Sequence, residues 1–149
     1  MMGGLHGGGA VTISAQARRT ILMLAREAFP DECCGVLVGL DGNETRIASA
    51  WGVPNHAARE RSRCFSIAPD ELYSCVVRAR AEKMDVIGFF HSHPQGSARP
   101  SPRDVRQGSG WPGYVNAIYA CAHEEREGLR FYRTQPTCWR ELPYKEIQP

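Results

Sequence analysis

Two histidines one residue apart, His91 and His93, precede Asp104 within the stretch HSHPQGSARPSPRD. In an extended strand, side chains i and i+2 share a face, so both imidazoles can meet one metal ion while Ser92 points away. Pro94 turns the chain, and Ser101-Pro102-Arg103-Asp104 reads as a helix start, with serine at the cap, proline first and a carboxylate third. A carboxylate in that first turn can swing back to the same ion. Two histidine nitrogens and one carboxylate oxygen leave a fourth tetrahedral position for water, the arrangement of a catalytic zinc rather than a structural one. Water activated in this way needs a base to accept its proton and return it to a leaving amine. Glu32 is the candidate: it stands in Pro30-Asp31-Glu32 at the entrance to an apolar strand, where partial desolvation raises a carboxyl pKa. The Ser101 hydroxyl can also donate to the oxyanion of a tetrahedral intermediate.

Each residue has an ordinary reading as well. One histidine near a sheet edge is more often a plain polar residue, Ser101 and Asp104 alone make a helix cap, and Glu32 alone is a charge ending a loop. The combination carries the weight. His-x-His-Pro, six residues, then Ser-x-x-Asp arises by chance in roughly one in 10⁵ chains of this length. The two readings are compatible, since a capped helix start is what would fix Asp104 in place.

The remaining pattern must position these groups. Val11–Ser14 reads as a short strand, after which Ser14 caps a helix whose apolar face is Ile21, Leu22, Leu24, Ala25 and Ala28, stopped by Pro30. CCGVLVGL at 33–40 is a strand apolar on both faces, Asp41-Gly42-Asn43 a hairpin turn, and 44–53 the returning strand. Residues 54–64 are a polar, basic surface loop, and 65–67 are expected to form a short strand. Pro69 and Asp70 open a helix to about Lys83 with Leu72, Cys75, Val76 and Ala79 inward, and DVIGFFH at 85–91 is the next strand. From Tyr114 onward come three strands, YVNAIYACA, LRFYRT and TCWREL, with turns near Glu127-Gly128 and Gln135-Pro136. Interleaved strands and helices with several hairpins predict an α/β or α+β three-layer domain with a mixed central sheet.

The 149 residues suit one domain, spanning 10–149 after a flexible glycine-rich lead at 1–9. A formal charge of +2 argues for neither nucleic acid nor membrane as partner, and no apolar run approaches bilayer-spanning length. Six cysteines (33, 34, 64, 75, 121 and 138) without a signal-peptide pattern predict reduced thiols in a cytoplasmic protein. None forms C-x-x-C, so a thiolate zinc site has no local support. Cys33 and Cys34 read as buried small hydrophobes, and Cys121 and His123 as alternating strand positions with little claim to a ligand role.

The segment resembles the JAMM (MPN-plus) motif, His-x-His-Pro followed by Ser-x-x-Asp with an upstream glutamate in a P-x-E-x-C-G-x-L-x-G-like strand. His91, His93, Pro94, Ser101 and Asp104 stand at those positions, with Glu32 in PDECCGVLVG. The likeness extends over about 11–146, including the Asn55 step and FSIAPDEL. It implies a layered, cytidine-deaminase-like fold, one zinc held by His91, His93 and Asp104, Glu32 as general acid/base and Ser101 at the oxyanion. It also implies hydrolysis of a peptide or isopeptide bond after the C-terminal Gly-Gly of a ubiquitin-like or sulfur-carrier protein. A glycine tail has no side chains, so it can lie as an added strand at a sheet edge and enter a narrow cleft. Residues 55–65 are then a candidate substrate-facing loop, with Asn55, Arg59, Arg61 and Arg63 as candidate contacts, the arginines toward an acidic carrier surface. A solvated basic loop is the equal alternative. Trp111-Pro112-Gly113 is a packing loop that can border the cleft, and His56 is a surface residue.

Three rival readings remain. A catalytically silent interaction module of the same fold need not keep three ligands and a base, yet this chain has all four. A nucleobase deaminase calls for H-x-E and P-C-x-x-C, and neither occurs here. Two histidines and a carboxylate also describe a mononuclear iron site, which ligand type alone leaves open.

Overall fold

The apolar run at 33–40 lies in the interior of a sheet, with helices on both of its faces. The computed structural model describes residues 10–122 and 128–148; the glycine-rich lead, His123 and the turn residue Glu127 lie outside them. In chain order the described elements are β1 (Val11–Ser14), α1 (Ala15–Ala28), β2 (Cys34–Asp41), β3 (Thr45–Val53), α2 (Pro69–Ala81), β4 (Asp85–His93), α3 (Pro102–Gly108), β5 (Val115–Ala120), β6 (Leu129–Thr134), β7 (Trp139–Leu142) and β8 (Tyr144–Ile147). The strands form one sheet in the order β7-β6-β5-β4-β2-β3-β1-β8. β2 runs antiparallel to both β3 and β4, whereas β4 and β5 are parallel and are joined by the crossover that contains α3. The mixed α/β expectation therefore holds, and the sheet has eight strands.

Alternation along the strands sends side chains to two cores. Leu37, Phe90, Val115, Ala117 and Phe131 pack with Ile21, Leu22 and Ala25 of α1. Val36, Val38 and Phe89 face the other way, against Ala79, Leu72 and Cys75 of α2. The Ser14 side chain accepts from the Ala17 N–H and so caps α1 as its sequence predicts.

Three details depart from the sequence pattern. Residues 65–67 form no strand: their main chain is held by single bonds, His56 N–H to Ser66 O at 2.8 Å and Ser66 N–H to Asn55 Oδ1 at 3.1 Å, and no ladder forms. The histidine strand continues through His93 rather than ending at 91, because β5 pairs it as far as His93↔Ala120. A last strand, β8, adds parallel to β1; its alternation of half-buried and exposed residues is too short to be read from sequence.

β4 and β5 meet closely at Gly88, where an added Cβ would stand 1.9 Å from the Val115 carbonyl oxygen. Gly88→Ala must therefore push apart the pair of strands that ends at the histidines. Urea unfolding should show a loss of about 2 kcal/mol or more, in the range of overpacked cores. Gly42→Ala, with nothing within 4 Å of the new carbon, should stay within about 0.5 kcal/mol of the parent.

Candidate metal centre

Register in the sheet brings the distant Glu32 to the histidines. Cys34 lies opposite His91 in the antiparallel pair of β2 and β4, and the ladder continues with Ser92 N–H donating to the Cys33 carbonyl at 3.1 Å. Stepping back two residues on β2 matches stepping forward two on β4, so Glu32 comes level with His93. The Ser92 hydroxyl faces the other side and accepts the Cys33 N–H at 2.9 Å, stitching the two strand ends together.

His91, His93 and Asp104 converge as one cluster. His91 Nε2 and His93 Nε2 are 3.2 Å apart, and each lies 3.2 Å from Asp104 Oδ2. All three side chains are almost fully withdrawn from solvent. The His93 Nδ1–H donates to the Ser97 carbonyl at 2.7 Å, which leaves the lone pair of a neutral ring on Nε2. With His91 in the same tautomer as His93, two imidazole lone pairs and a carboxylate oxygen point at one spot and repel unless a positive charge lies between them. A tetrahedral zinc with ligands at 2.0–2.1 Å sets its ligand atoms about 3.3–3.4 Å apart, so a 3.2 Å triangle fits one face of that polyhedron. Burial alone would raise the Asp104 carboxyl pKa; the two imidazoles and the Ser101 N–H outweigh it and hold the group well below the usual carboxylate range. Burial would lower the His93 pKa, but Asp104 and the Ser97 carbonyl overcome it and the net shift is upward. Without a metal the triangle must retain a proton, which a divalent cation would displace.

Each ligand has its own support. His91 stacks on Phe65, with ring centroids 4.5 Å apart and planes 25° apart. The loop that supplies the Ser97 carbonyl is pinned by the Tyr132 hydroxyl, which donates to the Ala98 carbonyl at 2.6 Å. Asp104 is fixed by a reciprocal cap: the Ser101 Oγ accepts from its N–H at 3.1 Å, and its Oδ2 accepts from the Ser101 N–H at 2.9 Å.

Glu32 is buried, and its Oε1 has no protein hydrogen-bond partner. Desolvation raises its pKa, and the nearby imidazoles only partly oppose the rise. The Glu32 main chain is clipped to the 54–64 loop on both sides: its N–H donates to the Arg61 carbonyl at 2.7 Å, and its carbonyl accepts from Asn55 Nδ2 at 3.2 Å. Asn55 also bonds the Cys64 carbonyl and the N–H groups of Ala57 and Ser66, so its carboxamide is occupied in shaping this loop. Arg61 Nε donates to the Ala57 carbonyl at 2.7 Å. Arg59 and Arg63 are exposed. His56 is exposed as well, and Cys121 packs beside the α1-side core with its N–H donating to the His93 carbonyl at 3.0 Å, while its thiol is not part of the triangle. Spacing along the chain carries no signal for Phe65, Ser92, Ser97 or Tyr132, which reach the site through the sheet and the loops.

Residues 14–135 match the family model described as prokaryotic homologs of the JAB domain. The chain is similar to a desampylase of Haloferax volcanii, 38% identical over 72% of this chain and 78% of the relative. The fold resembles the solution structure of a protein from Desulfitobacterium hafniense, with a TM-score of 0.84 and 26% identity over 93% of this chain and 94% of that one. It also resembles a structure described as JAMM, a metalloprotease-like zinc site in the proteasome and signalosome, with a TM-score of 0.57 and 20% identity over 93% and 98% of the two chains.

Cys33 and Cys34 adjoin Glu32 without being nucleophiles, because burial pushes their thiols up to about 11 and about 12. On the order of one Cys33 in a thousand is then a thiolate at pH 8. Iodoacetamide at that pH should label the exposed Cys138 of the native protein and spare Cys33 and Cys34 until denaturant is added, as read by peptide mass spectrometry.

Proposed function

The chain belongs to the prokaryotic homologs of the JAB domain and is a JAMM-type hydrolase, and from that premise we propose that it is a zinc-dependent isopeptidase or peptidase releasing a ubiquitin-like modifier. The observation that carries the reading is the 3.2 Å triangle of His91 Nε2, His93 Nε2 and Asp104 Oδ2. Zinc, when bound there, supplies a Lewis acid and lowers the pKa of a water ligand to about 7. Glu32 takes a proton from the attacking water and delivers it to the leaving amine, and burial keeps its carboxyl basic enough for both transfers. Ser101 holds Asp104 by its N–H, and its hydroxyl hydrogen serves the oxyanion. Phe65 and the buried histidines keep bulk water from competing for these groups.

Relatedness to a desampylase supports a ubiquitin-like substrate, and a sulfur carrier with the same kind of tail meets the same requirement. The cleaved bond follows a C-terminal Gly-Gly, because an extended tail without side chains reaches a buried ion through a narrow approach. The 54–64 loop borders that approach. It is tied to the base through Arg61 and Asn55 and to α3 through Arg103 and Glu60, 3.7 Å apart, and Gln107 bonds the Phe65 carbonyl at 3.2 Å. Arg59 and Arg63 point to an acidic face on the carrier, whereas Asn55 and Arg61 act by shaping the loop. The chain works as one domain over 10–149 in the cytoplasm; among the described residues no helix is long and apolar enough to cross a membrane.

Purified protein should contain one zinc per chain, measured by elemental analysis, and should cleave fusions or lysine conjugates of a Gly-Gly-ended carrier. Glu32→Gln should keep the zinc and lose turnover by about 10³-fold or more, as expected when a proton shuttle is removed. His91→Ala and Asp104→Ala should lose zinc and activity together. Full activity in Glu32→Gln would remove the base assignment, and zinc-free protein that still cleaves would remove the metal assignment.

A further inference from the structure

A cavity adjoins the metal cluster, with Asp104 in its lining. Its volume is about 130 Å³. A single ordered water needs only about 10–15 Å³, while sites for whole small molecules run to roughly 300–1,000 Å³, so the space suits one side chain. Phe65, Phe89, Trp111 and Trp139 contribute aromatic walls, and Asn116 lines the same space. No basic side chain is among the described residues that line it, so an anionic group would find no counter-charge there beside Asp104.

Two polar groups distinguish the cavity from a packing void. Asn116, on β5 between Phe89 and Tyr132, is 4% exposed, and its carboxamide takes part in none of the hydrogen bonds among the described residues. The indole N–H of Trp139 is buried without a partner as well. Trp139 is held against α3 at Gly108, where an added Cβ would meet its ring at 2.7 Å. A buried donor without a partner keeps its desolvation cost, and a ligand that pairs it recovers that cost. The walls favour a flat ring, and the unpaired groups favour a ring with an acceptor and donor at its edge.

We propose that this cavity is a side-chain subsite for an aromatic residue with a polar edge, a phenol in the first instance, carried by the polypeptide substrate close to the cleaved bond. The aromatic ring lies against the walls that Phe65, Phe89 and Trp111 give the cavity, and its oxygen accepts from the Trp139 N–H while donating to the Asn116 carbonyl. The assignment of the ligand class stands on the cavity alone; its attribution to substrate rests on the hydrolase reading above.

The test uses zinc-loaded, ¹⁵N-labelled protein titrated with p-cresol and with toluene, following the Trp139 indole and Asn116 carboxamide resonances. Saturable shifts at both groups, with p-cresol binding roughly tenfold more tightly than toluene, are expected from the added hydrogen bonds. Asn116→Leu, close to isosteric, should abolish most of that preference. Equal binding of the two probes, or shifts confined to other residues, overturns the subsite. Conjugates carrying Tyr or Leu at each position flanking the cleaved bond in turn then assign it to substrate. At one position the parent should prefer Tyr in kcat/KM by roughly tenfold, and Asn116→Leu should lose the preference. No position with such a preference overturns the substrate attribution. If the parent cleaves no conjugate at all, the hydrolase reading fails instead, while the titration still decides what the cavity binds.

Discussion

Mutual repulsion among three electron-rich atoms organises this molecule. His91 Nε2, His93 Nε2 and Asp104 Oδ2 form a triangle with 3.2 Å edges inside the protein, where little water can screen them. Such an arrangement persists only with a shared proton or cation, and only if the scaffold prevents the side chains from swinging apart. Each corner is restrained by a different device: a stacked phenylalanine for His91, a main-chain carbonyl for His93 and a helix cap for Asp104. Restraints of this kind are what let a site hold its geometry without reorganising when charge develops.

The sheet joins that triangle to the base. β2 and β4 are neighbours, and their antiparallel register carries Glu32 and His93 to the same level although they lie far apart in the chain. Two bonds between Cys33 and Ser92 fasten the junction, and two more fasten Glu32 to the 54–64 loop. Hydrogen bonds thus fasten the base, the strand that carries the histidines and the 54–64 loop to one another.

Around this polar centre the surroundings are aromatic. Phe65 lies on His91, and Phe89 contacts Trp111 and Tyr114 at centroid separations of 5.2 and 5.8 Å. These rings lower the local polarity, which strengthens the electrostatic interactions beside His91. Phe65, Phe89 and Trp111 also border the cavity that Asp104 lines, so the side that makes the site dry also provides a surface a substrate can recognise.

Much of the site was legible in the chain because its groups obey local rules. The i, i+2 spacing of His91 and His93 on a strand, and the cap formed by Ser101 and Asp104, depend only on nearest-neighbour geometry, and both appear in the structure as their spacing requires. The apolar run before Asp41 and the helix from Pro69 follow from periodicity in the same way. What spacing could not supply was anything set by strand pairing or by loops crossing in space. Glu32 could be nominated from its place before an apolar run, but its level with His93 comes from the β2–β4 register. Asn55 looked like a surface contact, yet four hydrogen bonds turn it inward to shape the loop. Residues 65–67 looked like a strand but lie beside a ring rather than a ladder. Local spacing determines which atoms can face one another within a turn or a strand; only the packed sheet determines which distant atoms arrive beside them, because those contacts are chosen by competition among all the surfaces the chain must bury.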